Sequence, residues 1–328
     1  MKRPPIAVVG FAGVFPGADS VEKFWQNIID KKSAAIGIPE SRLIAPINSL
    51  YHPTPMPDKA LSKRACLITD FVFDPSGFDI DSELLSELDP LYHLVLHAGR
   101  EAFAGCNTKN LNPNNVGVSL AAIALPTDGS SAITREIFAH HHINIGREKA
   151  LGAKVTSLPG AILAKALGLG GGTHTLDAAC ASSLYAVKIA CDALWSNQAY
   201  AMLAGGVSRP DCLYTQIGFS QLRALSRSGI CSPFDENADG LVVGEGAGIL
   251  VLKRLEDAIR DNDMIHALIC GIGLSNDMRG NLLAPDTRGQ VRAMQLAYQS
   301  AEWHPSDVDL IECHGTGTPA GDTTELQS

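Results

Sequence analysis

Short apolar runs alternate along the chain with stretches whose apolar positions recur at helical spacing. Residues 6–10 read as a buried strand and 21–29 as the helix that follows it. The pattern predicts a helix over 93–103 and a strand over 116–124. Ser157 is placed to cap a helix continuing through Leu167, which the glycine-rich stretch 168–172 ends. A strand over 173–178 leads into a helix over 182–195, with Leu184, Val187, Cys191 and Leu194 along one stripe. Strands follow at 199–207 and 248–253, then a short helix at 255–261. The stretches 107–115 and 129–135 are polar and read as connections.

From Ile265 a second cycle begins, with a strand over 265–274, a helix over 290–300 and a strand over 308–313. Residues 323–328 look like the first turns of another helix. Strands alternating with helices predict a layered α/β architecture with helices on sheet faces. The chain divides into a first unit over 1–260 and the start of a second over 261–328. Two clear strands are short of a sheet, so the second half is expected to be incomplete and the 328 residues to be the N-terminal portion of a longer protein.

Composition sharpens this picture in a few places. With 45% hydrophobic residues, 19% charged and 31 glycines, the chain has the make-up of a compact α/β enzyme and not of a coiled coil or a disordered tail. A net charge of -9 argues against a general nucleic-acid binder, which needs a basic face. Eight cysteines occur without any CxxC, and no HExxH accompanies the ten histidines, so neither a disulfide framework nor a metal site is expected. The cysteines read as free and mostly buried thiols of a reducing compartment. Lys2 and Arg3 ahead of the apolar stretch 6–15 superficially copy a signal peptide, but Pro4 and Pro5 interrupt it and a first strand explains it better. No apolar run approaches the roughly 18 residues of a membrane span, and a cytoplasmic location is the expectation.

The sharpest chemistry lies in Asp177-Ala178-Ala179-Cys180-Ala181-Ser182-Ser183. Cys180 falls where a buried strand passes into a long helix, and the unpaired N–H groups and positive dipole end of that helix favour a thiolate. Backbone N–H groups in such a turn can also receive an oxyanion. Small neighbours leave room for a substrate, while Asp177 could equally be a structural hydrogen-bond partner. Cys191, on the core stripe, reads as packing.

A second cluster runs from His314-Gly315-Thr316-Gly317-Thr318 to Glu325, starting where the strand over 308–313 ends. Ligands of open α/β sheets bind outside the carboxyl ends of strands, where an imidazole and two hydroxyls can meet one ligand. Taken without context, His314 is an ordinary loop histidine and Glu325 a first-turn helix acid. Gly244-Glu245-Gly246-Ala247-Gly248 matches GxGxG but lacks the strand before and helix after that a dinucleotide site needs, so it reads as close packing. No P-loop and no GxSxG occurs, and His140 to His142 reads as solvated surface.

Together these segments resemble the β-ketoacyl synthase (ketosynthase) family of the thiolase superfamily, in the version found in polyketide and polyunsaturated-fatty-acid synthases. The opening Ile6-Ala7-Val8-Val9-Gly10, Phe15-Pro16-Gly17-Ala18, Phe24-Trp25, the Cys180 segment, Ala204-Gly205-Gly206-Val207, Ser232-Pro233-Phe234-Asp235, Asp239-Gly240 with the glycines that follow, and the stretch from His314 to Glu325 carry it in the family's order. The resemblance implies a thiolase-like αβαβα fold with Cys180 as acyl-accepting nucleophile. It implies a decarboxylative Claisen condensation of the Cys-bound acyl group with a malonyl-type extender. His314 would then polarise the extender's thioester carbonyl, Thr316 and Thr318 would hydrogen-bond the pantetheine arm, and Glu325 would support the network. It further implies a homodimer, an acyl carrier protein as partner, further synthase domains, and no cofactor of the chain's own, because the partner carries the phosphopantetheine.

Two departures stand out. The family's lysine and second histidine fall after the Glu325 helix, beyond Ser328, so this chain is expected not to complete condensation alone. Leu88-Asp89-Pro90-Leu91-Tyr92-His93 replaces the Gln-Gln-Arg that polyketide relatives carry after Asp-Pro, which bears on the subfamily. The competing possibilities are a non-condensing partner of the chain-length-factor type and a thiolase-superfamily enzyme acting on coenzyme A thioesters. The retained Cys180 speaks against the first and the stretch from His314 to Glu325 against the second.

Overall fold

The computed structural model describes residues 3–109, 111–140, 157–277 and 285–328. In chain order these form β1 (Ile6–Val14), α1 (Val21–Ile29), β2 (Ile36–Gly37), α2 (Ile47–Leu50), β3 (Arg64–Ala65), α3 (Ser82–Glu87), α4 (Pro90–Ala104), β4 (Val116–Ala122), α5 (Asp128–His140) and α6 (Pro159–Ala166). They continue with β5 (Thr173–Leu176), α7 (Ser182–Trp195), β6 (Ala201–Ser208), α8 (Cys212–Gln221), β7 (Gly246–Arg254), α9 (Leu255–Arg260), β8 (Ala267–Ile269), α10 (Thr287–Ala301) and α11 (Pro319–Gln327).

One mixed sheet in the order β5-β4-β6-β7-β1-β8 organises the chain, and β2 pairs with β3 beside it. β4 runs parallel to both β5 and β6, while β6, β7, β1 and β8 pair antiparallel in turn. Glycine is required where β6 meets β7, because a Cβ on Gly205 would stand 2.0 Å from the Gly248 carbonyl oxygen. In the glycine run 244–248 a Cβ on Gly246 would stand 3.1 Å from the Val14 carbonyl oxygen and the Phe15 ring, so close packing at the start of β7 accounts for that glycine.

Side chains alternate between the two sheet faces. On one face Leu91, Val95, Ala98 and Ala102 of α4 and Leu163 of α6 close over Val118, Leu120, Leu203, Ile249 and Val251. On the other, Ala190, Cys191 and Leu194 of α7 pack on Ile6, Val8, Met202, Ala204 and Leu252. These layers are those of the thiolase-like α/β class.

Several local expectations need correction. The polar stretch 129–135 lies inside α5, because Thr127 and Ser130 satisfy its start reciprocally: the Thr127 N–H donates to Ser130 Oγ at 2.8 Å and the Ser130 N–H to Thr127 Oγ1 at 3.2 Å. Ser157 does not cap α6; Pro159 opens that helix and Leu158 stands at its N-cap without a side-chain bond. The α7 stripe is rotated from its expected position. Small residues Ala186 and Ala190 face the sheet and permit close approach, leaving Leu184 65% exposed. Only Cys106, Cys191 and Cys212 of the eight free cysteines are buried, so the thiols are not mostly buried.

The second cycle also differs. The strand expected over 265–274 shrinks to β8, which pairs with the open edge of β1 in the same sheet. Residues 308–313 form no ladder, because no described strand runs beside them, and Leu310 and Ile311 remain exposed. The terminal helix starts earlier than expected, at Pro319. His140 ends α5, while His141 and His142 lie outside the described residues.

The unusual 88–93 segment turns out to be packing. Asp89 caps α4 through the Leu91 N–H at 3.0 Å and accepts the Thr127 hydroxyl at 2.7 Å. Tyr92 is buried, which pushes its phenol up to about 12, and His93 stacks on Phe73 with ring centroids 4.4 Å apart.

Candidate active site

β5 ends at Leu176, and the chain reverses through a tight turn over Ala179–Ala181 into α7. Ala179 sits in the left-handed region at φ 50°, a conformation costing an L-residue about 1–3 kcal/mol. Two side chains hold it there. Asp177 accepts the Ala179 N–H through Oδ1 at 2.9 Å and the Ala124 N–H through Oδ2 at 2.9 Å. Ser182 Oγ accepts the Ala178 N–H at 2.7 Å and donates to the Ala179 carbonyl at 2.6 Å. Asp177 is therefore a backbone brace, one of the two roles its position allowed. The brace sets Cys180 at the crest of the turn, exposed, outside the carboxyl end of a parallel strand.

The loop after residue 313 brings His314 to the same place. A hydrogen bond from the His314 imidazole holds the Cys180 thiol below its ordinary value; desolvation works against that shift and the imidazole's charge adds to it. The same bond raises His314, opposed by burial and helped by the charges of Cys180 and Glu325. By contrast, burial pushes the Cys191 and Cys212 thiols up to about 12.

Glu325, on α11, reaches back to the loop. Its Oε1 accepts the His314 N–H at 2.5 Å and its Oε2 the Gly315 N–H at 2.9 Å. Thr316 and Thr318 place their hydroxyls 2.9 Å apart. Thr318 is the N-cap of α11 but makes no side-chain capping bond, so its hydroxyl is left facing its neighbour. Cys180, His314 and Glu325 are thus joined in one chain of contacts, with the threonine pair two residues further along the same loop.

Sequence inspection missed three features. Asp322 is buried and accepts two backbone N–H groups, from Gly317 at 3.1 Å and Phe234 at 2.7 Å. Its signal was its place three residues before Glu325, on the same side of a helix. Ser182 braces the turn as well as opening α7. Glu245, in the middle of the glycine run, is buried and forms a two-pronged ion pair with Arg42 at 3.2 and 3.0 Å; Arg42 also meets Asp128 at 2.9 Å. An apolar chamber of about 780 Å³ opens beside Cys180, with Phe15, Phe24, Leu184 and Val187 in its walls. Among the described residues, no group of three or more His, Cys, Asp or Glu side chains could hold a metal ion, and no helix is long and apolar enough to cross a membrane.

The site is thus a thiol on a strained turn beside an imidazole, at the end of a strand in a mixed α/β sheet. The chain belongs to the β-ketoacyl synthase family: the family's N-terminal domain matches residues 3–258 and its C-terminal domain residues 266–328. It is 37% identical over 329 residues to the PKS-NRPS hybrid synthetase ATPKS of Aspergillus niger, covering 98% of this chain and 17% of that protein. It is 34% identical over 343 residues to a phenolphthiocerol/phthiocerol polyketide synthase of Mycobacterium tuberculosis, covering 99% of this chain and 21% of that one. The chain therefore spans about a fifth of the length of these curated relatives.

Among solved structures it is similar to PfaC Keto synthase-Chain length factor, with a TM-score of 0.89 and 37% identity over 98% of this chain and 37% of that one. It is also similar to the ketosynthase from module 6 of the bacillaene synthase of Bacillus subtilis 168, with a TM-score of 0.82 and 32% identity over 98% of this chain and 53% of that one.

Proposed function

We propose that this chain accepts an acyl group from a carrier-protein thioester onto Cys180, as the first half of a decarboxylative Claisen condensation in polyketide or fatty-acid biosynthesis. The observation that carries this is the Cys180 thiol held below its ordinary value on a strained, braced turn beside His314. The Cys180 thiol gives its proton to His314 and attacks the thioester carbonyl. The tetrahedral oxyanion is met by the Cys180 N–H, because those of Ala178, Ala179 and Ala181 are taken within the turn, and the pantetheine sulfur leaves with the proton that His314 returns. His314 then polarises the extender's carbonyl, and the Thr316 and Thr318 hydroxyls hold the pantetheine arm. Glu325 fixes the His314 backbone. Decarboxylation and bond formation also call on the lysine and second histidine that the family carries after the Glu325 helix.

The partner is an acyl carrier protein, which brings the phosphopantetheine, so the chain needs no cofactor of its own. Three cations close together in sequence, one of them against the loop that leads to Phe234, support this. Lys59 bonds to the Ser49 carbonyl, Lys63 to Asn48 and Arg64 to the Ala35 carbonyl, and among the described residues none of the three meets a carboxylate. Gly229, two residues before Cys231, lies against the Arg64 side chain, so Arg64 borders the loop that leads to Phe234. Such cations suit a phosphodiester-bearing arm. β5, at the sheet edge beside the Cys180 turn, offers its open side to a second copy and supports a homodimer. Other domains of a multidomain synthase and a cytoplasmic location complete the proposal. A non-condensing chain-length-factor role is the second possibility, and the braced Cys180 favours the condensing one.

The test is incubation with an acyl-pantetheine thioester followed by intact-mass and peptide mapping. One acyl group on Cys180 is expected. Acylation at another residue, or none with a folded chain, overturns the proposal.

A further inference from the structure

Two carboxylates on α11 each take two backbone N–H groups, but they do different things. Glu325 takes both from the same short loop, those of His314 and Gly315. Asp322 takes one from that loop, Gly317, and one from Phe234, which is 88 residues away in sequence. A third bond closes the same junction, from the Gly240 N–H to the Gly317 carbonyl at 2.9 Å.

Both N–H groups that Asp322 captures belong to residues in the left-handed region, Phe234 at φ 61° and Gly317 at φ 70°. Phe234 is no glycine, and its conformation costs about 1–3 kcal/mol in isolation, so it persists where something fixes it. The two N–H groups point at one buried carboxylate, and charge-assisted bonds of this kind are the strong ones. Space is tight at Gly317, where a Cβ would stand 3.0 Å from the Gly240 carbonyl, while a Cβ on Gly315 would make ordinary contact with Pro233 at 3.4 Å and the Phe234 ring at 3.9 Å. The Phe234 ring thus lies against the residue next to His314.

We propose that Asp322 is a positioning residue that clips the Phe234 loop to the His314–Thr318 loop and so fixes His314 against Cys180. This rests on the proposed role of Cys180 as an activated nucleophile. Asp322 touches no reacting atom. It acts through Phe234 and Gly317, while Glu325 fixes the other end of the same loop. With the clip open, the His314 imidazole is free to leave the thiol, and Cys180 reverts toward an ordinary cysteine.

The experiment is the pH dependence of Cys180 alkylation by iodoacetamide, read by peptide mapping, in the full chain and in Asp322→Asn, with the melting temperature alongside. Asp322→Asn keeps the shape and one acceptor but loses the second. The expected result is a Cys180 midpoint below that of an ordinary thiol in the unmodified chain. In the variant the midpoint shifts upward by about one pH unit, and reactivity at neutral pH falls about tenfold. Thr324→Ala, on the same helix and away from the clip, should leave the profile in place. A lower melting temperature with an unchanged profile would make Asp322 structural only and overturn the proposal. An ordinary Cys180 midpoint in the unmodified chain would instead remove the activated-nucleophile proposal beneath it. Should Asp322→Asn fail to fold, amide hydrogen exchange on the unmodified chain decides. Slow exchange of the Phe234 and Gly317 amides at a common rate supports the clip, and unprotected amides overturn it.

Discussion

The two faces of the central sheet use adjacent residues of the same strands and reach opposite ends. Leu203 of β6 faces α4 in a sealed apolar layer with Leu120, Leu163, Ile249 and Val251, all nearly inaccessible. Its neighbour Met202 faces α7, where small residues let the helix lie close to the sheet and the chamber beside Cys180 stays open. The sealed face supplies cohesion. The open face gives up burial, keeps a strained turn at the strand end, and holds its chemistry there through polar braces from Asp177 and Ser182.

Cysteine substitutions should separate the faces most sharply. Cys180→Ser is expected to abolish acyl-enzyme formation while leaving the melting temperature nearly unchanged, because its side chain is exposed. Cys191→Ser, in the α7 core, should do the reverse: acylation persists while a buried hydroxyl costs about 1–3 kcal/mol. Intact mass and thermal unfolding read both. An acylated Cys180→Ser chain would break the comparison outright.

Next in size, Leu120→Ala removes a fully buried side chain from the sealed face and should cost about 2–5 kcal/mol in denaturant unfolding. A cost below about 1 kcal/mol would mean that this face is not the cohesive one. His314→Ala acts on the open face alone. The imidazole lowers the Cys180 thiol, so its removal moves the alkylation profile to higher pH and reduces the thiolate fraction at neutral pH. Acylation should slow without vanishing. An unmoved profile would take His314 out of the thiol's activation.

Much of this contrast was legible in the sequence, and the failures share a cause. Strand alternation and the helix periods of α1, α4 and α7 are local properties, and so is the position of Cys180 between a strand and a helix. His314, Thr316, Thr318 and Glu325 were found through a motif, because they sit within one short segment. Asp322 escaped because its meaning lies in Phe234, far away in sequence but one hydrogen bond away in space. The 308–313 run has a strand's composition, yet a strand exists only with a neighbour to pair with. The serine-rich opening of α5 looked like a loop because serine serves both loops and helix starts, and only the Thr127–Ser130 exchange decides between them.

The smallest expected effect tests the rotated α7 stripe. Hydrophobic periodicity alone places Leu184 with Cys191 and Leu194 in the core, yet Leu184 is 65% exposed while Ala186 and Ala190 are fully buried. Burial of a leucine contributes about 1.5–3 kcal/mol, and little of that is available to a side chain mostly in solvent. Leu184→Ala should therefore change unfolding free energy by less than about 0.5 kcal/mol, whereas the same truncation at Leu194 should cost several times more. Because Leu184 lines the chamber beside Cys180, the substitution should still be felt by bulky apolar alkylating reagents approaching that thiol. Equal losses at Leu184 and Leu194 would show that α7 is held by the periodic stripe and not by its small residues, which would return the open face to an ordinary core.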